Sequence, residues 1–161
     1  MKRIIVGVMG PGPSAKQSDI ENAYRLGGLI AQKGWVLLTG GTASGVMDSA
    51  SRGAREAGGL VVGILPSADA AQASEVVDIP IVTGMGSARN NINVLSSHLV
   101  IACGMGPGTA SEAALAVKAG RPLILLNDMA ESRVFFTTLA GDQVRIAATA
   151  EEAIEIASAL L

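Results

Sequence analysis

Six short apolar runs without polar alternation recur along the chain, four of them closed by a glycine cluster. The runs are Ile4–Met9, Trp35–Leu38, Leu60–Leu65, Ile79–Val82, Leu99–Cys103 and Leu123–Leu126. Each is rich in Val, Ile and Leu, which is how strands covered on both faces read. Between them lie segments with helical character: Gln17–Lys33, Val46–Ala57, Ala88–Ser96, Ala110–Ala119 and Ala150–Leu160. Val144–Ala147 reads as a last strand, and Ser67–Glu75 as a loop or a short helix. Strand and helix in alternation predict a Rossmann-like three-layer α/β/α sandwich with a mainly parallel sheet of about six to seven strands. The length fits one domain over residues 1–161. Aromatic residues are 2% of the chain although 49% is hydrophobic, so the core must be Ala, Val, Ile and Leu in closely packed thin layers.

Helix boundaries are marked by chemistry. Ser14-x-x-Gln17 and Thr149-x-x-Glu152 have the form of capping boxes. Gly34, Gly58 and Gly120 stand where a helix ends before the next strand.

The four clusters are Gly10-Pro11-Gly12-Pro13, Gly40-Gly41-Thr42-Ala43-Ser44-Gly45, Gly84-Met85-Gly86-Ser87 and Gly104-Met105-Gly106-Pro107-Gly108-Thr109. In a parallel sheet all four face one rim, where open α/β folds bind ligands. Each is expected to lead into a helix N-terminus, whose free N–H groups and dipole favour an anion. A phosphorylated small molecule is the predicted ligand. Met9-Gly10-Pro11-Gly12 recurs as Met105-Gly106-Pro107-Gly108, without further similarity around the two copies.

Several classes are excluded by the residues. Gly10-x-Gly12-x-x-Ala15 has the form of a dinucleotide fingerprint, but the second strand ends Leu37-Leu38-Thr39 without the acid that would hold a ribose, so NAD is not expected. No cluster ends in the Gly-Lys-Ser/Thr of a Walker loop. A net charge of −2 argues against nucleic acid. One cysteine leaves no disulfide and no Cys-based zinc site, and no protein-held metal is expected. No apolar run approaches a membrane span, and the run after Met1-Lys2-Arg3 is too short for a signal peptide, so a cytoplasmic protein is expected.

Gly106-x-Gly108-Thr109-x-x-Glu112, preceded by Arg89, resembles the Rossmann-like superfamily once labelled lysine decarboxylase-like. It includes the LOG phosphoribohydrolases and the molybdenum cofactor carrier proteins. The resemblance extends to Gly40-Gly41 and to Gly45-Val46-Met47. Ala88-Arg89-Asn90-x-x-Asn93-Val94-Leu95-Ser96-Ser97 looks most like the carrier branch. The enzyme branch reads Arg-Lys and Pro-Gly-Gly-x-Gly-Thr; here Asn90 replaces the Lys, and Gly104-Met105 stands for Pro-Gly. The resemblance therefore implies a carrier of the molybdenum cofactor, a phosphorylated pterin, that protects it or transfers it to molybdenum-cofactor-dependent enzymes. The alternative it implies is a phosphoribohydrolase of nucleoside 5′-monophosphates, with Glu112 and Arg89 catalytic. A pyridoxal phosphate decarboxylase is not expected, because Lys2, Lys16, Lys33 and Lys118 are poorly placed for a Schiff base.

The predicted ligand residues are Gly10, Gly12, Gly40, Gly41, Thr42, Ser44, Gly45, Gly86, Ser87, Arg89, Asn90, Gly106, Gly108, Thr109 and Glu112. Thr109-x-x-Glu112 also has the form of a capping box, and the four hydroxyls can equally be N-caps. Arg89 at a helix start opposes the dipole, which points to an anionic partner, the ligand or Glu112. Asn90 and Asn93 can read a pterin or purine edge, or pack by hydrogen bonding. Asp48 and Arg52 form an i, i+4 ion pair. His98, Cys103 and Trp35 read as structural. Phe135 and Phe136 are assigned no place. Ala113, Ala114, Ala116, Val117 and Ala119 make one helix apolar nearly all round, so a homodimer or homotetramer is expected.

Overall fold

The computed structural model describes residues 2–126 and 129–161, so that Met1, read above with Lys2 and Arg3, lies outside them. One all-parallel sheet of seven strands has the order β4-β3-β2-β1-β5-β6-β7. The strands are β1 (Ile5–Met9), β2 (Val36–Thr39), β3 (Val61–Leu65), β4 (Ile79–Val82), β5 (Leu99–Cys103), β6 (Leu123–Leu126) and β7 (Val144–Ile146). The helices are α1 (Gln17–Gln32), α2 (Gly45–Glu56), α3 (Arg89–Ser96), α4 (Pro107–Lys118), α5 (Ala130–Ala140) and α6 (Ala150–Leu160). The Rossmann-like three-layer sandwich expected from the alternation is the one observed.

Side-chain alternation along the strands divides the core. Val6 and Val8 of β1, with Leu99, Ile101 and Cys103 of β5, face α1, α2 and α6. Val100 and Ala102 of β5, with Met9, Leu38 and Leu125, face α3, α4 and α5. Small residues let the first layer close tightly. A Cβ on Gly27 of α1 would run into the Ala50 carbonyl of α2, and one on Gly53 of α2 into the Tyr24 carbonyl of α1.

Two expectations change, on β4 and on Ser14, and two segments left open take a definite form. β4 is exposed along its whole length, because it is the sheet edge and the crossover before it carries no helix; Pro80 sits there, where an edge strand tolerates it. That crossover, Ser67–Glu75 included, is a loop, held by an isolated bridge between Thr42 and Ala73. A helix, α5, occupies the segment around Phe135 and Phe136. Ser14 caps nothing: α1 starts at Gln17 after Lys16, and the Asp19 carboxylate accepts the Lys16 N–H at 3.1 Å. The second box does form, with Thr149 Oγ1 accepting from the Glu152 N–H at 3.1 Å and Glu152 Oε2 accepting from the Ala148 N–H at 2.7 Å. Gly34, Gly58 and Gly120 adopt φ of 71°, 75° and 67°, the left-handed conformation expected beyond helix ends.

The chain leaves β1 first toward β2 and returns on its other side as β5. The C-terminal ends of β1 and β5 therefore flank the topological switch point, where such sheets open a crevice.

Candidate functional site

A cavity of about 410 Å³ opens at that switch point. The loop after β1 lines one side with Gly10, Pro11, Gly12, Pro13 and Ser14. The start of α4 lines the opposite side with Gly106, Pro107, Gly108 and Thr109. Gly40 and Met47 come from the β2 side, Pro66, Gly86 and Ser87 from the β3 and β4 loops, and Arg89, Asn90 and Glu112 from α3 and α4.

The anion-ready end is the start of α4. Gly106 is its N-cap position and no side chain caps the turn. Pro107 suits the first helical position because it has no N–H to satisfy. The N–H groups of Gly108 and Thr109 then lack intrahelical acceptors, as first-turn donors do. Thr109 is 2% exposed, lines the cavity, and its hydroxyl has no partner. A buried unpartnered hydroxyl beside free backbone donors has the chemistry to receive oxygen atoms of an anion.

Arg89 lies across Gly40. A Cβ on Gly40 would fall 2.8 Å from Arg89 Nη2 and 3.0 Å from Nη1. Arg89 Nη1 donates to Asn90 Oδ1 at 2.9 Å and stands 3.6 Å from Glu112 Oε1. Its Nε is buried without a partner. Burial holds the guanidinium below its ordinary value, with Glu112 opposing that shift. The Glu112 carboxyl is pushed up by burial, against the Asn93 hydrogen bond and the Arg89 charge. Asn93 Nδ2 donates to Glu112 Oε1 at 2.8 Å, so Glu112 is positioned by α3 and caps nothing. The capping-box reading of Thr109 and Glu112 fails because α4 begins three residues before the expected Ala110, which puts Thr109 inside the first turn.

Both asparagines bond within the protein, although Asn93 Oδ1 is buried without a partner. Asn90 Oδ1 accepts from Arg89, and its Nδ2 donates to Ser111 Oγ at 2.9 Å. Ser111 Oγ donates to the Gly108 carbonyl at 2.7 Å. A continuous chain thus joins Arg89 to the glycine turn of α4.

Eleven of the predicted residues line the cavity: Gly10, Gly12, Gly40, Gly86, Ser87, Arg89, Asn90, Gly106, Gly108, Thr109 and Glu112. Gly41, Thr42, Ser44 and Gly45 do not line it. Gly41 turns away at φ 78° against Gly63, and its N–H donates to Thr39 Oγ1 at 3.0 Å. Thr42 and Ala43 are drawn to the crossover strap, the Ala43 N–H donating to the Gln72 carbonyl at 2.9 Å. Ser44 precedes α2 without a side-chain cap bond. Gly45 lets the Pro11–Gly12 backbone pack on the α2 N-terminus, and the Val46 N–H donates to the Pro11 carbonyl at 3.0 Å. The α2 start is therefore closed to an anion by the protein itself. The other two clusters do not run directly into α-helices: Ser14–Lys16 separates the first from α1, and Gly86–Ala88 forms a 3-10 turn before α3.

Sequence reading missed Met47, whose signal was its place in the first turn after the second cluster. It also missed Ser111, which nothing local distinguishes. Cys103 is structural as expected: buried, with its thiol pushed up to about 12 by burial. His98 lies at the opposite end of β1, its Nδ1 accepting the Ile5 N–H at 3.0 Å. The Asp48–Arg52 pair forms at 2.8 Å, and Ser74 donates to the other Asp48 oxygen at 2.6 Å, tying the strap to α2. Phe136 is buried in the core, whereas Phe135 is 59% exposed on the outer face of α5.

The chain is similar to known proteins in sequence and in fold. The pattern defining the SLOG cluster4 family matches residues 3–154. The molybdenum cofactor binding protein of the phototrophic bacterium Rippkaea orientalis is 56% identical, with a TM-score of 0.98 over 99% of this chain and 98% of that one. The Moco carrier protein of Chlamydomonas reinhardtii is 49% identical, with a TM-score of 0.93 over 99% of this chain and 98% of that one. A protein of unassigned function from Archaeoglobus fulgidus is 46% identical over 75% of this chain and 78% of its own length.

Proposed function

The chain belongs to the SLOG cluster4 family, and from that premise we propose that it binds and carries the molybdenum cofactor. One observation carries the proposal beyond likeness to cofactor-binding relatives: the uncapped start of α4, with the unpartnered Thr109 hydroxyl, stands in the same cavity as a buried Arg89 whose Nε lacks a partner. Both features suit the terminal phosphate of a phosphorylated pterin. The cofactor supplies its own dithiolene for molybdenum, so no cluster of protein metal ligands is needed.

Each residue then has a task. Gly108 and Thr109 donate to phosphate oxygens. Gly10, Gly12 and Gly106 let the backbone approach the ligand. Arg89 supplies positive charge, held in place by Asn90. Ser87 and Gly86 close the β4 side. Glu112 balances Arg89 and accepts from ligand N–H groups. The proposal includes a cytoplasmic carrier, working as a homodimer or homotetramer, that passes cargo to molybdenum-cofactor-dependent enzymes.

The test is retention of the cofactor, released from a donor molybdoenzyme, through gel filtration with molybdenum counted in the protein peak. Wild type should retain it, while Arg89→Ala and Thr109→Val should lose it. Folded wild-type protein that retains none would overturn the proposal. The second reading, a phosphoribohydrolase, draws on the Arg89–Glu112 pair at the cavity wall, 3.6 Å apart. A carboxylate there could stabilise an oxocarbenium-like centre or activate water. Base release from AMP by wild type, lost in Glu112→Gln, would establish that activity.

A further inference from the structure

A ring-bearing ligand needs an apolar surface against its flat face, and proteins commonly provide an aromatic side chain. Here that solution is absent. The chain has four aromatic residues, and none of Tyr24, Trp35, Phe135 and Phe136 lines the cavity. The apolar lining side chains are prolines and two methionines, Met9 and Met47. Met9 is 2% exposed and its Cε turns back toward Gly7, 2.8 Å from where a Cβ would be. Met47 is partly exposed and stands in the first turn of α2.

Met47 is held in an unusual way. Its sulfur accepts a hydrogen bond from the Thr42 hydroxyl at 3.2 Å. Gly40 makes room for it, since a Cβ there would lie 2.6 Å from Sδ. Its methyl reaches toward the β1 loop, 3.6 Å from a Cβ built on Gly12. A flexible thioether is thereby fixed across the cavity wall by a residue outside the cavity. Met47 follows β2 and α4 follows β5, with β1 between them. Met47 Sδ and the Arg89 guanidinium flank Gly40, 2.6 Å and 2.8 Å from where its Cβ would be, so thioether and cation stand side by side on the wall.

We propose that Met47 is the surface on which the ligand's heterocyclic ring packs, and that Thr42 is a positioning residue that aims its sulfur. The inference rests on the proposed binding of a phosphorylated pterin and names what holds the ring end. A polarisable sulfur against a π-system is favourable and tolerant of ring orientation. That tolerance suits a site which must also release its cargo.

The probe is 6-hydroxymethylpterin monophosphate, followed by its fluorescence, with inorganic phosphate as a competitor lacking the ring. Met47→Leu keeps the volume and loses the hydrogen-bond acceptor, and it should weaken pterin binding by about three- to tenfold. The affinity for inorganic phosphate should stay as in wild type. Thr42→Val should weaken pterin binding in the same direction, and Thr42→Ser should restore it. A readout independent of affinity is oxidation by dilute hydrogen peroxide, followed by peptide mass spectrometry. Bound pterin monophosphate should slow sulfoxide formation at Met47 and leave Met129, outside the cavity lining, unprotected. Circular dichroism melts establish that each variant is folded. Equal pterin affinity in wild type and Met47→Leu, or unprotected Met47 in the complex, overturns the assignment while leaving the carrier proposal standing. Wild-type protein that binds phosphate but no pterin overturns both.

Discussion

At the scale of single residues, two glycines of the same rim should behave differently when a methyl group is added. The atoms nearest a Cβ on Gly40 belong to two flexible side chains, Met47 and Arg89. Gly40→Ala should therefore leave thermal stability nearly unchanged and weaken ligand binding, because both side chains must swing away. A Cβ on Gly10 meets the Cys103 carbonyl and comes within 2.6 Å of Val46 Cγ1 in the core. Gly10→Ala should cost about 1–3 kcal/mol in urea denaturation, as overpacking does. Calorimetry with a ligand titration on both variants separates the two outcomes. Glu112 carries a pH signature. Burial raises its carboxyl above the ordinary value, so the native state retains a proton that the unfolded chain releases. Its contribution is complete below the ordinary glutamate range and is lost as pH rises toward the raised value. Denaturation midpoints of wild type relative to Glu112→Gln should fall across that window. A parallel pH dependence in both proteins would contradict the assignment.

At the scale of elements, the interface of α1 and α2 should be the least tolerant of added volume. Gly27 and Gly53 each face the backbone of the other helix without a side chain between them. Backbone cannot move as a side-chain tip can, so Gly27→Ala must push the helices apart. Loss of more than about 2 kcal/mol is expected, in the range of severe core defects. A Gly27→Ala melt within a degree of wild type would mean the helices are less closely docked than they stand. The elements also differ in how readable they were. α2, α3 and α4 were marked by glycine clusters, and α6 by its capping box. α5 was unreadable because its apolar residues Val134, Phe135 and Leu139 face outward, so its pattern does not point to the sheet. β4 read as an interior strand because its apolar run resembles the others, and nothing local says that the crossover before it lacks a covering helix.

At the scale of the molecule, the outward face of α5 bears on assembly. The expectation of a homo-oligomer began from α4, yet Ala113 and Ala116 of that helix are buried against the chain's own sheet. The larger unpartnered apolar surface belongs to α5, where Val134 is 65% exposed and Leu139 57%. Single-chain burial therefore moves the proposed subunit contact from one helix to the other. Phe135→Glu should lower the mass seen by light scattering if α5 lies between subunits. A wild type that runs as a monomer would remove the oligomer from the proposal.

What the sequence determined alone is the scaffold and its ligand rim. Unbroken Val, Ile and Leu runs demand burial on two faces, and only a parallel sheet between helices provides it for so many short strands. Glycine after those strands puts permissive backbone on one edge, whatever the packing details. Tertiary structure decided which loops reach the ligand. Thr42, Ser44 and Gly45 share a cluster with Gly40, but the strap after β3 and the Pro11 carbonyl take up that loop and leave Gly40 in the cavity. Asn93, Ser111 and Met47 act through partners 19, 21 and 5 residues away in sequence. The first two contacts join separate helices, and the third joins a loop to the helix it precedes. The two interhelical pairings leave no local trace, because they arise only when α3 and α4 have docked.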